Sequence, residues 1–205
     1  MEGFIPKQGD IFIDVGVYDA GTSVKFTNLG CKVYGFELDK KNYEMSKKIA
    51  KEKKFSIENY GLGSCERVAK YVSNEGASTL NPNGSETGKI ITLDSWIEEN
   101  KLPRVDWIKM DVEGAELDAL MGAATTIARF KPILTISAYH RWDDFWTIID
   151  FIKSIRSDYE FAMRQYPETK DDLPSWFTDN KQEEYVALGI EPDVRSWEES
   201  VLMAK

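Results

Sequence analysis

Three acidic side chains and a single histidine follow short apolar runs, and together they could bind a cofactor and move a proton. Asp14, Glu37 and Asp111 each lie at or just after such a run, and His140, the only histidine, follows another. Runs of this length and composition are typical of strands buried on both faces of a parallel sheet. Because ligands of doubly wound α/β proteins bind at the carboxyl ends of such strands, we expect these four residues at one sheet edge.

The stretch at residues 10–23, DIFIDVGVYDAGTS, predicts a buried strand, a turn at Gly16 and a helix capped by Thr22 or Ser23. Backbone N–H groups and the helix dipole favour a ligand at such a junction. A dinucleotide fingerprint needs a second glycine where the backbone approaches the pyrophosphate, but Tyr18 lies two residues after Gly16. The turn therefore argues against a dinucleotide.

Glu37 follows the next predicted strand, at the position where an acidic side chain can accept hydrogen bonds from both hydroxyls of a ribose. A carboxylate there would repel a phosphate. An adenosine with free hydroxyls and no phosphate fits both the turn and Glu37, so we predict S-adenosylmethionine (SAM) as the cofactor. Its ribose is expected on Glu37 and its methionine part over residues 14–18.

Length, charge and composition limit the number of domains and the kinds of partner that we expect. The 205 residues predict one domain, and a net charge of −9 with a pI near 4.8 disfavours a nucleic-acid partner, which needs a basic surface. Residues 1–10 lack the features of a signal peptide, and no apolar run reaches membrane-spanning length. Cys31 and Cys65 show no metal-type spacing. We expect a cytoplasmic monomer or homodimer without nucleic-acid or membrane partners.

Strands and helices alternate in the order β-α-β-α-β, then a strand pair, then β-α-β-α-β-β. This order predicts a doubly wound, mostly parallel α/β sheet whose last strand enters antiparallel. The predicted strands cover residues 11–15, 32–36, 55–60, 107–110, 131–137, 159–163 and 200–204, with a hairpin formed by 68–72 and 89–93. Later helices are expected to begin at Asp39, at Thr92 or Asp94, after Gly114 and at Asp143, the one after Gly114 ending at Gly122.

Five segments resemble, in order and spacing, the FkbM family of SAM-dependent methyltransferases: DVGVYDAGTS, GFELD, TLDSW, IKMDVEGAELDALMGA and ISAYH. The resemblance covers residues 10–165 and the last strand, and IKMDVEGAE is its most specific part. It implies the seven-stranded class I methyltransferase sheet, which is Rossmann-like. It also implies O-methylation of a hydroxyl on a small molecule such as a sugar or a polyketide-type natural product.

The expected site has a cofactor side and an acceptor side. A hydroxyl is a poor nucleophile unless its proton is removed, and His140 and Asp111 are the candidate bases. Asp111 could instead hold the amino group of the cofactor, and adenine could pack on the loop at Leu62. The expected cofactor-binding residues are Asp14, Gly16, Tyr18, Thr22, Ser23, Glu37, Leu62, Asp111 and Glu113.

Two other functions stay open. One is methyl transfer to nitrogen, to carbon or to a catechol-like hydroxyl activated by Mg²⁺ at Asp111, Glu113 and Asp94; these acids lack a fixed ligand spacing, so no metal is predicted. The other is a binding protein that has kept the fold and lost turnover. It is suggested by Ala20 and Gly21, where similar sequences have Gly-Asp.

Residues 167–199 form an insertion between the last two predicted strands. This segment holds ten acidic residues against three basic ones, together with several aromatic side chains. Such apolar content predicts that it folds onto the domain. A lid over the acceptor and a structural or dimer contact are the alternative roles.

Overall fold

The computed structural model describes residues 6–74, 78–166 and 199–205. The strands are β1 (Ile11–Val15), β2 (Lys32–Phe36), β3 (Ser56–Glu58), β4 (Gly61–Leu62), β5 (Arg67–Ser73), β6 (Ser78–Leu80), β7 (Glu86–Ile91), β8 (Trp107–Met110), β9 (Ile133–Ser137), β10 (Phe161–Tyr166) and β11 (Glu199–Ala204). The helices are α1 (Gly21–Asn28), α2 (Lys40–Lys53), α3 (Leu93–Glu99), α4 (Glu116–Met121), α5 (Ala124–Phe130) and α6 (Asp144–Ile155).

The main sheet places β1 at its centre. Seven strands of the described chain pair in the order β10-β11-β9-β8-β1-β2-β3. All neighbours are parallel except β11, which runs antiparallel to both β9 and β10. The predicted α/β fold with a mostly parallel sheet and an antiparallel last strand is confirmed. Because the chain continues from β1 to β2 on one side and reaches β8 on the other, the strand order reverses at β1, where such sheets bind ligands.

Burial explains why β1 is the central strand. Each of its five residues is buried, so both faces of the strand are covered. Phe12 packs against Phe26 of α1 on one face, whereas Ile13 points to the other face and joins the large core that includes Ile127 and Ile148. This two-sided packing fixes the direction in which the chain leaves β1 and enters the turn that follows.

A second sheet covers one side of the strand ends. It has the order β4-β7-β5-β6, and its β5 and β7 form the predicted antiparallel pair. Gly61 and Leu62, predicted as a loop, instead pair parallel with β7, and β6 lies in the sequence between the two strands of the predicted hairpin, where no strand was predicted. A 2.6 Å ion pair between Arg67 and Asp118 of α4 ties this sheet to the domain.

Helix α5 is absent from the sequence prediction, which ran directly from Gly122 to the next strand. Its first N–H groups are capped from another element, because the carboxylate of Asp94 accepts hydrogen bonds from the backbone of Thr125 and Thr126 at 2.9 and 2.8 Å. Thr92 caps α3 instead, by accepting from the backbone of Ser95. Asp94 is therefore a structural carboxylate.

The other predicted helix starts have mixed outcomes. Asp39 caps α2 as expected, since its side chain accepts a 2.9 Å hydrogen bond from the backbone of Asn42. Helix α6 begins with Asp143 as its N-cap residue, as predicted, but the side chain of Asp143 makes no capping bond to the described residues; Asp144 accepts a hydrogen bond from the backbone of Arg141, which precedes the helix.

Most of the acidic and aromatic insertion, residues 167–198, lies outside the described residues, so its roles as a lid or a contact stay predictions. In the part of the chain that the structure describes, no helix combines the length and apolar character needed to cross a bilayer.

Candidate functional site

A cavity of about 430 Å³ opens beyond the carboxyl end of β1. Its walls come from the segments that follow β1, β2, β8 and β9, together with residues of the second sheet. This volume falls within the range of about 300–1,000 Å³ that is usual for small-molecule sites. The cavity therefore lies where the strand order reverses, as expected for a ligand site in this fold.

Gly16 lets two backbone segments approach each other at the floor of this cavity. Its φ is +82°, and a Cβ atom at this position would lie 1.9 Å from the carbonyl oxygen of Asp111. Its N–H donates to the carbonyl of Phe36, while the N–H of Asp111 donates to that of Val15. Both the space and the backbone conformation thus require glycine here, as the predicted turn implied.

The turn that follows has a different helix start from the predicted one. Tyr18 and Ala20 adopt positive φ values of 49° and 65°, and α1 begins without a side-chain cap from the described residues. The predicted cap at Thr22 or Ser23 was wrong. The hydroxyl of Ser23 instead donates a 2.6 Å hydrogen bond to Asp14, and both residues are fully buried. Asp14 and Ser23 support the turn from beneath and do not line the cavity formed by the described residues.

Lys109 fixes the same turn from β8. Its Nζ donates a 2.7 Å hydrogen bond to the carbonyl oxygen of Gly16 and lies 3.4 Å from Oδ1 of Asp14. Burial alone would lower the pKa of Lys109, but the charges of Asp14 and Asp111 raise it above its usual value. Burial raises the pKa of Asp14, and Lys109 and Ser23 offset only part of that effect. Lys109, which the sequence analysis did not single out, thus joins the glycine turn to β8.

Glu37 is held rigidly at the edge of the cavity. Its Oε2 accepts a 2.9 Å hydrogen bond from the backbone of Tyr18, and its Oε1 accepts one of 2.8 Å from the backbone of Asp39. Burial raises the pKa of Glu37, and these two backbone hydrogen bonds offset part of the effect. Because each carboxylate oxygen can accept a second bond, Glu37 keeps acceptor capacity toward the cavity.

Four titratable side chains meet beyond the ends of β8 and β9, and we name them the His140 cluster: Asp111, Glu113, Glu116 and His140. Nδ1 of His140 lies 2.9 Å from Oε1 of Glu116, an ion-pair contact that is not a well-directed hydrogen bond. Nε2 faces Asp111 at 3.6 Å and Glu113 at 3.5 Å. Glu116 also accepts a 2.8 Å hydrogen bond from the backbone of Val112. The ring is therefore oriented by carboxylates on both sides.

The His140 cluster spans the boundary between interior and cavity. Glu116 has no exposed side-chain surface and His140 has 9%, whereas Asp111 and Glu113 are 36% and 37% exposed and line the cavity. Burial would lower the pKa of His140, but Glu116, followed by Asp111 and Glu113, raises it above its usual value. His140 thus lies behind the two carboxylates that face the cavity, beside Tyr139, which lines it.

Most of the predicted cofactor residues come together. Seven of them line the cavity beyond the end of β1: Gly16, Tyr18, Thr22, Glu37, Leu62, Asp111 and Glu113. Asp94 does not join them, so the acidic trio proposed for Mg²⁺ is not assembled among the described residues. Glu116 was missed, although its position three residues after Glu113 on a predicted helix was a usable indication.

Comparison with known protein families shows which family this chain belongs to. Residues 14–166 match the model of the methyltransferase FkbM domain. The chain belongs to the FkbM methyltransferase family. The predicted resemblance is therefore confirmed, and the family is one of methyltransferases. No curated protein matches this FkbM-family chain.

Solved structures show the same fold. Methyltransferase FkbM from Methylobacillus flagellatus KT is 22% identical, with a TM-score of 0.68, over 100% of this chain and 46% of that chain. The FkbM-family chain thus spans about half the length of that relative. A Geobacter metallireducens precorrin-6y C5,15-methyltransferase has a TM-score of 0.54 at 10% identity, covering 98% and 81% of the two chains. The putative Streptococcus mutans methyltransferase SMU.1697c, solved with SAH, has a TM-score of 0.51 at 10% identity, covering 98% and 89%.

Proposed function

We propose that this FkbM-family chain is a SAM-dependent methyltransferase that methylates a hydroxyl group of a small molecule. The observation that supports it most is the composition of one cavity. Glu37 lies on the wall formed by the end of β2, and the His140 cluster adjoins the walls formed by the ends of β8 and β9. A cofactor side and a proton-transfer side thus meet beyond the end of β1.

The residues on the cofactor side fit SAM. Gly16 leaves the backbone open where any side chain would meet the carbonyl of Asp111. Glu37 offers the acceptor oxygens that the ribose hydroxyls need, and Leu62 supplies apolar surface for adenine. When bound, SAM supplies an electrophilic methyl group. The chain itself binds the adenosine, orients it against the turn and holds the acceptor in line, which in favourable cases lowers a barrier by about 7–11 kcal/mol.

On the acceptor side, the His140 cluster removes the hydroxyl proton. Asp111 and Glu113 face the cavity, and His140 with Glu116 lies directly behind them. A placed base typically contributes about 10²- to 10⁴-fold in rate. The net charge of −9 keeps small hydroxylated molecules, rather than nucleic acids, as the proposed acceptors. Sugars and polyketide-type natural products are the first to test.

Transfer of a tritiated methyl group from SAM to a panel of acceptors tests this function. The panel pairs each hydroxylated compound with its O-methylated form and with an amine analogue. We expect label only on the compounds with a free hydroxyl. Labelling of the amines alone would contradict O-methylation, and calorimetry without any SAM-binding heat would contradict the cofactor itself.

Glu37→Gln should weaken SAM binding by about 10- to 100-fold. A hydrogen bond to a charged group contributes about 1.5–3 kcal/mol, and each 1.4 kcal/mol is a tenfold change in the dissociation constant. Isothermal titration with SAM measures it. Glu58→Gln, at the end of the neighbouring β3 and outside the cavity, is the matched control and should bind normally. A folded Glu37→Gln variant with unchanged affinity would remove Glu37 from the cofactor site.

A further inference from the structure

The His140 cluster carries more negative charge than its own histidine can balance. Three carboxylates surround one imidazole, and Glu116 among them is fully buried. Lys109, whose charge also acts on Asp111, is already bound to Gly16 and Asp14. A single proton on His140 therefore leaves the group with net negative charge at the edge of a partly closed cavity, which is costly unless a cation compensates it.

Several polar atoms of the cluster lack hydrogen-bond partners among the described residues, which also favours a bound cation. Within the described part of the chain, neither ring nitrogen of His140 makes a well-directed hydrogen bond, although 91% of the side chain is buried. Oε2 of the buried Glu116 is also without a hydrogen-bond partner among those residues. Buried polar groups of this kind are normally paired, so each needs a ligand, a water or an ion as its explanation.

The distances match the spacing of ligands around a metal ion. Ligand atoms of Asp111, Glu116 and His140 all lie within 4.8 Å of one another. Nε2 of His140 is 3.6 Å from Oδ1 of Asp111 and 3.5 Å from Oε2 of Glu113. Two ligands bound at about 2.1 Å to a tetrahedral or octahedral ion are separated by about 3.0–3.4 Å. Asp111 and Glu113 both face Nε2 from partly exposed positions, so their carboxylates can move toward an ion bound at that nitrogen.

We propose that Nε2 of His140, with the carboxylates of Asp111 and Glu113, binds a divalent transition-metal ion at the acceptor end of the cavity. Glu116 serves this site from behind, because its oxygen lies 2.9 Å from Nδ1 and its charge favours the ring proton on that nitrogen, which leaves Nε2 free to bind the metal. A carboxylate that orients a metal-binding histidine in this way is a common second partner in metal sites. One imidazole and two carboxylates favour Mn²⁺, Fe²⁺ or Zn²⁺ over Mg²⁺, which prefers oxygen ligands alone.

The catalytic consequence of this ion rests on the proposed function, but its binding does not. A divalent ion lowers the pKa of an oxygen that it binds, so the acceptor hydroxyl would release its proton to water more readily. A proton and the ion compete for the same nitrogen of His140. The loaded cluster therefore acts on the hydroxyl through the ion, whereas the unloaded cluster accepts the proton itself.

Titration of the chelator-treated full chain with MnCl₂, without SAM or acceptor, tests binding by electron paramagnetic resonance of free Mn²⁺. We expect one saturable site per chain that His140→Ala removes. Glu116→Gln should weaken it by about 10- to 100-fold, the usual effect of losing an orienting partner. Glu98→Gln, which removes an exposed carboxylate elsewhere, is the matched control and should leave binding unchanged.

Absence of saturable Mn²⁺ binding would overturn the proposal, as would Mn²⁺ binding that His140→Ala and Glu113→Gln both leave intact. A second measurement separates the site from the function. Full methyl transfer after chelation would refute the role of the ion while leaving the methyltransferase proposal in place. Mn²⁺ bound at this cluster in a protein that transfers no methyl group would refute the methyltransferase proposal and leave the metal site in place.

Discussion

Replacing His140 by alanine should lower the rate of methyl transfer by about 10²- to 10⁴-fold and leave the affinity for SAM unchanged. The ring is 9% exposed and lies among the three carboxylates of the cluster. Within the described chain, its ion-pair contacts are with these carboxylates and not with Glu37, so we expect SAM affinity to be independent of it. Whether His140 takes the proton, balances the charge of Asp111 or binds an ion, it acts when the acceptor hydroxyl loses its proton. The variant should therefore slow that step.

Paired measurements make this prediction specific. Single-turnover rates with an accepted substrate give the chemical step, and calorimetry with SAM gives the cofactor affinity. Asp150→Ala, an exposed change on α6, is the control for purification and handling. Near-parental turnover by a folded His140→Ala protein would move the role to Asp111.

A double variant shows whether the two residues act together. If His140 and Asp111 form one functional unit, Asp111→Asn combined with His140→Gln should be no slower than the worse single variant, because the second change removes nothing further. Multiplicative losses would indicate two separate roles.

Local patterns were sufficient to predict the parts of the fold with strong two-sided burial. The run at residues 11–15 has no polar interruption except Asp14, and it forms the fully buried β1. Helix α5 was missed because its sequence, ATTIARF, has two threonines and no preceding cap of its own. Its cap is Asp94, about 30 positions earlier in the chain, and such long-range capping cannot be inferred from neighbouring residues.

Some residues of the candidate site were likewise predictable from the sequence, and others were not. Strand-end residues such as Glu37 and Asp111 were predictable, since parallel strands bring their carboxyl ends to one edge. Asp14 is also at a strand end, yet it points beneath the turn toward Ser23 and Lys109. Sequence alternation gives the face of a strand on which a side chain lies, but not which buried charge will lie opposite it. Lys109 was therefore missed, although it is the one charged residue in the buried run 107–110.

This buried pair leads to the largest expected effect on stability. Lys109→Met should lower the free energy of unfolding by about 3–5 kcal/mol, the usual cost of removing one partner from a buried ion pair. Asp14 has no exposed surface, and without Lys109 its Oδ1 faces no positive charge among its described neighbours. The carbonyl of Gly16 loses its 2.7 Å hydrogen bond at the same time, so SAM affinity should fall as well.

Urea unfolding followed by circular dichroism measures this change, with Lys51→Met on the exposed face of α2 as the matched control. Adding Asp14→Asn to Lys109→Met should restore most of the lost stability, because the amide can still accept the hydroxyl of Ser23 and leaves no unpaired charge. A double variant as unstable as Lys109→Met alone would assign the loss to the hydrogen bond on Gly16. Parental stability of Lys109→Met with Asp14 still ionised, as the carboxylate stretch in the infrared spectrum would show, would contradict the role assigned to this buried pair.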